Sequence, residues 1–106
     1  MDLGFETVWN GIRRDIRSGS TIRNWGEASG YTGGSFKIED MDASSITVSG
    51  GRMRMPRRIS KGEFENVYAV LDAYRAGNYT RSRMGALSQN TTYILSILQS
   101  VAARDR

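Results

Sequence analysis

Ser60-Lys61-Gly62-Glu63 most narrows what this chain can fold into. Ser-x-x-Glu is a capping box: the serine hydroxyl accepts from the N3 amide, and the glutamate reaches back to the N-cap amide. Ile59 and Phe64 sit at N′ and N4, the positions of a hydrophobic staple. A helix therefore starts here, predicted over residues 60–76, with Phe64, Val67, Tyr68, Leu71 and Tyr74 as its stripe and Gly77-Asn78 as its C-cap. The preceding residues, Arg52-Met53-Arg54-Met55, alternate in character, which predicts a strand with arginines on one face and methionines on the other. Pro56, lacking an N–H, ends that ladder. The junction reads as strand, basic turn at Arg57 and Arg58, then capped helix.

Upstream, Phe5, Val8, Trp9, Ile12 and Ile16 recur at helical spacing and predict an amphipathic helix over 5–17. Arg13, Arg14 and Arg17 gather at its C-terminal end, where cations suit the macrodipole. Residues 21–25 read as a short strand and 26–35 as a glycine-rich hairpin loop with Tyr31 at its tip. A meander follows: 35–40 with Phe36 and Ile38 inward, 45–49 with Ile46 and Val48 inward, a Gly50-Gly51 hairpin turn, then 52–55. This predicts a dry sheet face completed by Met53 and Met55, covered by the 60–76 helix. The opposite, polar face carries Lys37, Thr47, Arg52 and Arg54.

The remaining chain reads as a short helix over 80–87, a turn at 88–90, and a helix over 91–103. Tyr93, Ile94, Ile97, Leu98 and Val101 point inward, and Thr92, Ser96, Gln99 and Ser100 outward. Helix-turn-helix spacing is present, with Arg81 and Arg83 on the leading element. The trailing helix has no cation on its outer face before Arg104, which favours a core helix over a groove reader. The expected architecture is α+β: an N-terminal helix, a three- to four-stranded antiparallel meander, then two to three C-terminal helices packed on one sheet face. Length places all of residues 1–106 in a single domain.

Chemistry is bounded by what is missing. Without histidine or cysteine the chain lacks the commonest general base, the usual zinc ligands and any thiolate nucleophile. Absence of cysteine also fits a cytoplasmic protein. No apolar run approaches a membrane span, and the acidic start shows no secretory h-region. Glu39, Asp40 and Asp42 cluster at a turn, but neither a calcium-loop spacing nor a Pro-Asp…Glu-x-Lys nuclease pattern accompanies them. No metal, cofactor or enzymatic activity is therefore expected. Positively, all but two of the 15 basic residues are arginine, and the net charge is +4. Arginine's planar fork suits bidentate contacts to phosphate, so an anionic partner is expected.

The expected phosphate-binding set is Lys37, Arg52, Arg54, Arg57, Arg58, Ser60, Lys61, Arg81 and Arg83. At its centre the basic turn faces the electropositive start of the 60–76 helix. Trp25 and Tyr31 are the candidate stacking residues.

Four segments occur in order: Phe36-Lys37-Ile38, Ile46-Thr47-Val48, Ile59-Ser60-Lys61 followed by Phe64, and Asn90-Thr91-Thr92-Tyr93-Ile94 followed by Ile97-Leu98. The series resembles a small uncharacterised bacterial and phage domain found alone or appended to HNH-type and other restriction endonucleases. The resemblance implies an accessory, nucleic-acid-facing role without catalysis of its own, in restriction or phage defence.

Three functional expectations result. The first is a non-catalytic DNA- or RNA-binding module that contacts phosphates. The second is a phage-type homo-oligomer that sequesters a nucleotide or cyclic nucleotide. The third is an interaction or inhibitor module for an acidic protein partner.

Overall fold

The computed structural model describes residues 4–27, 29–51 and 53–104, so Ala28 and Arg52 lie outside the described residues. In chain order the elements are α1 (Phe5–Asp15), β1 (Thr21–Gly26), β2 (Gly30–Met41), β3 (Ser45–Ser49), β4 (Arg57–Ser60), α2 (Lys61–Arg75), α3 (Arg81–Gly85) and α4 (Thr91–Arg104). The strands form one antiparallel sheet in the order β1-β2-β3-β4. The helices cover a single face of it, as expected for an α+β meander.

Ser60 does two jobs. It ends β4 opposite Ser45, and its hydroxyl accepts from the Glu63 amide at 3.2 Å to cap α2. Glu63 Oε2 returns to the Ser60 amide at 2.8 Å, completing the capping box. Its other oxygen accepts from Ser88 Oγ at 2.8 Å and Asn90 Nδ2 at 3.1 Å, which ties the start of α2 to the turn before α4. At the far end, Asn78 N–H donates to Ala73 O and Gly77 N–H to Tyr74 O, a Schellman closure with Gly77 at φ +84°.

Partial burial acts to raise the Glu63 carboxyl pKa. The hydrogen bonds from Ser60, Ser88 and Asn90 outweigh it and hold the group below the ordinary glutamate range. A carboxyl lowered by folding contributes stability above its unfolded pKa and loses it as pH falls through the folded one. Glu63→Gln is therefore expected to flatten the acid limb of the stability profile. It should also cost ~1–2 kcal/mol at neutral pH, because an amide has one accepting oxygen where the carboxylate uses two, one on Ser60 and one on Ser88 and Asn90. Urea denaturation from neutral pH to below the glutamate range checks both effects, and an unchanged acid limb refutes them.

The fourth strand lies after Pro56, not before it. Residues 53–55 are irregular, so the 52–55 strand does not form; Met53 still packs half-buried against the core, whereas Met55 is 74% exposed. Gly50 and Gly51 both take positive φ, 95° and 59°, and Met53 N–H closes a turn onto Gly50 O. With β3 ending at Ser49 and β4 starting at Arg57, they do not form a two-residue hairpin. The physical reason is that pairing β4 in this register sets Ile59 against Ile46, both fully buried. A β-branched pair on the core face outweighs what flexible methionines offer.

The glycine-rich stretch is also mostly strand. Trp25 pairs with Tyr31 and Gly26 with Gly30, and Glu27 and Ser29 lie at the turn between them. The rest of the dry face follows the predicted alternation, with Phe36 against Ile22 and Ile38 against Val48, all buried.

The main cover of the sheet is α4, lying across β1, while α2 sits against β4. Ile94, Leu95, Ile97, Leu98 and Val101 are all buried, which makes α4 a core helix. Ser96, expected outside, is 1% exposed. A register shift between Arg23 and Trp25 turns the Trp25 amide toward the helix, and Ser96 Oγ accepts from it at 2.9 Å. A buried amide outside the ladder needs such a partner.

α1 docks through Trp9, which is 1% exposed, with its Nε1–H on Ala43 O at 3.2 Å. The radius of gyration, 13.0 Å, is that of one compact body of this length. Among the described residues, no helix is long and apolar enough to cross a membrane.

Candidate anion-binding groove

Strand alternation decides where the basic turn points. Arg57 and Arg58 are neighbours in β4, so their side chains leave opposite faces of the sheet. Arg58 takes the outer face, where Nε donates to Ser45 Oγ at 2.9 Å and Nη2 lies 3.7 Å from Asp42 Oδ2. Asp42 itself organises the β2–β3 turn. The Ser44 amide, followed by the Ser45 and Ser44 hydroxyls, holds its carboxyl below the usual aspartate value. Lys61 is ion-paired to Glu6 of α1 at 2.6 Å. Ser60 is engaged in its own cap. The start of α2, expected to receive phosphate, is thus closed by its own residues and their carboxylate partners.

Arg57 goes to the helix side. It lines a cleft of ≈ 620 Å³ between β2, the residues Gly50, Gly51 and Met53, and the first turn of α4. Its guanidinium carbon lies 5.8 Å from the centre of the Tyr93 ring, and Nη1 donates to Asn90 Oδ1 at 3.4 Å. Tyr93 is held edge-on by Phe36 at 5.0 Å between centroids. Asn24, Thr32, Gly34, Gln89 and Thr92 supply the polar part of the wall.

A second cleft of ≈ 270 Å³ adjoins it, sharing Thr32 and Thr92. This lobe is lined by Trp25, Tyr74 and Arg81, with Arg81 Nη2 donating to Thr92 Oγ1 at 3.1 Å. Each lobe of the groove therefore holds one guanidinium and at least one aromatic ring. The amide end of α4 starts beside them and adds its partial positive charge. The groove's one carboxylate, Glu27, is paired with Arg75 at 3.4 Å.

Of the residues expected from sequence, the groove brings together Arg57, Arg81 and Trp25. Arg54 is exposed on the connection that borders the first lobe. Lys37 and Tyr31 lie on the outer sheet face. There Arg23 stacks over Tyr31 at 4.2 Å, and Lys37 pairs between Thr21 and Ser49. Arg83 leaves the groove and stacks over Tyr79 at 4.5 Å. Arg52 lies outside the described residues.

Sequence reasoning missed Asn24, Gln89, Thr92 and the place of Tyr93 in the cleft wall. A signal existed for Asn24: it shares strand parity with Ile22, so a polar side chain falls on the dry face. Gly34 shares parity with Phe36 in the same way. No such signal existed for Gln89 or Thr92, whose places depend on how α4 crosses β1.

Comparison with protein-family models, curated proteins and solved structures finds no match to this chain.

Proposed function

We propose that this protein is a non-catalytic nucleic-acid-binding module that holds a single strand along the groove. Phosphates sit on Arg57 and Arg81, and bases lie against Tyr93 and Trp25. One observation carries the reading: two arginines from distant parts of the chain each share a lobe of one groove with an aromatic ring. Cationic grooves with aromatic platforms suit single strands, because every base has a face to stack and every linkage a charge to neutralise. A duplex offers no unstacked base to the rings and should bind less well. Apart from Glu27, which is paired with Arg75, the side chains gathered here are guanidiniums, amides, hydroxyls and rings, which suit positioning a polyanion better than shuttling protons. This reading agrees with the accessory role that the resemblance implies.

Fluorescence anisotropy with a mixed-sequence single strand, titrated at several salt concentrations, tests it. Two neutralised phosphates predict a slope of log K against log salt of about −1.4. The matching duplex should bind more weakly. Binding that ignores salt, or no binding at low salt, removes the proposal.

A further inference from the structure

The first lobe contains an unmet acceptor. Asn24 Oδ1 is buried and has no hydrogen-bond partner, the one such side-chain atom among the described residues. An orphaned acceptor is costly, and its persistence in a cleft calls for a donor from outside the chain. The neighbouring strand is cut back to fit it. A Cβ at Gly34 would lie 2.6 Å from Asn24 Nδ2, so any larger residue there would push this amide out of its place. Gly34 has no left-handed φ, which leaves the missing side chain as the reason. Asn24 as a whole stays partly exposed on the lobe wall, so rotation of its terminal amide presents the oxygen to a ligand.

Resting on the strand-binding reading, the geometry points to the first lobe as a base-reading pocket for a nucleotide whose base carries an exocyclic amino group. The amino group donates to Asn24 Oδ1, the ring lies against Tyr93, and the adjoining phosphate meets Arg57. The lobe's ≈ 620 Å³ is ample for one nucleotide. Adenine and cytosine present such an amine beside a ring acceptor, which suits an amide's paired donor and acceptor. Thymine can meet the amide through N3–H and one carbonyl, but its second carbonyl then faces Oδ1 and weakens the pair.

Anisotropy with oligo(dA), oligo(dC) and oligo(dT) of equal length tests this. The wild-type protein should hold oligo(dA) and oligo(dC) about ten-fold tighter than oligo(dT). Asn24→Leu, which keeps the bulk and removes the amide, should bring that ratio to about one, with oligo(dT) affinity within about two-fold of wild type. Gly34→Ala, which forces a methyl into the amide, should do the same and serves if Asn24→Leu does not fold. Equal wild-type affinities, or a ratio unchanged in either folded variant, overturn base reading and leave strand binding standing. No binding of any oligomer at low salt overturns both. AMP bound as tightly as oligo(dA) overturns the strand assignment in favour of a free nucleotide.

Discussion

Arg57→Ala combined with Arg81→Ala is expected to weaken single-strand binding at least about 100-fold while leaving the fold intact. Each charge-assisted contact to a phosphate contributes ~1.5–3 kcal/mol, and every 1.4 kcal/mol is ten-fold in affinity. The two residues occupy different lobes, so their losses should add. The salt slope should flatten by about 1.4 at the same time, since both neutralised phosphates are lost. Stability should change little. Both guanidiniums are exposed, and each makes one neutral hydrogen bond, to Asn90 and Thr92 respectively. The control is Arg58→Ala with Lys61→Ala, which removes the same formal charge from outside the groove. Those two cations are paired with Asp42 and Glu6, so binding should stay within about three-fold. If the control variant loses binding as completely as the first, the groove is not the site.

Trp9→Ala should be the most destabilising single change, costing about 3–5 kcal/mol. Trp9 stands where α1 meets α2. Its ring meets Phe64 edge-on at 5.3 Å and Phe5 at 6.1 Å, and its indole N–H anchors the helix to Ala43. Truncation removes the ring contacts, leaves a cavity and strips the Ala43 carbonyl of its donor. For a chain of this length that corresponds to a fall in Tm of at least about 12 °C, measurable by calorimetry. Trp9→Phe keeps most of the volume and should cost only ~1–2 kcal/mol. A loss under about 1.5 kcal/mol for the alanine variant would mean that α1 docks by other contacts.

Much of the fold is legible residue by residue. The capping box, the closure at Gly77-Asn78, the stripe of α1 and the inward set Phe36, Ile38, Ile46 and Val48 are where the pattern places them. Each depends on interactions within a few residues or on strand alternation. The candidate site is less legible. Arg57, Arg81 and Trp25 were recognisable by type, but their meeting was not, because they come from β4, α3 and β1. Asn24 was readable by parity alone, and its unmet oxygen only from coordinates.

By itself the sequence determined that this protein is a small α+β meander, weighted toward arginine and without histidine or cysteine. Caps, alternation and composition act locally and are written in order along the chain. Only the tertiary structure decided that β4 begins beyond Pro56, that Arg57 and Arg58 part to opposite faces, and that the start of α4 borders the open groove. Those outcomes depend on which strand register buries the most β-branched surface and on how a core helix crosses the sheet. Both are set by contacts between residues far apart in sequence.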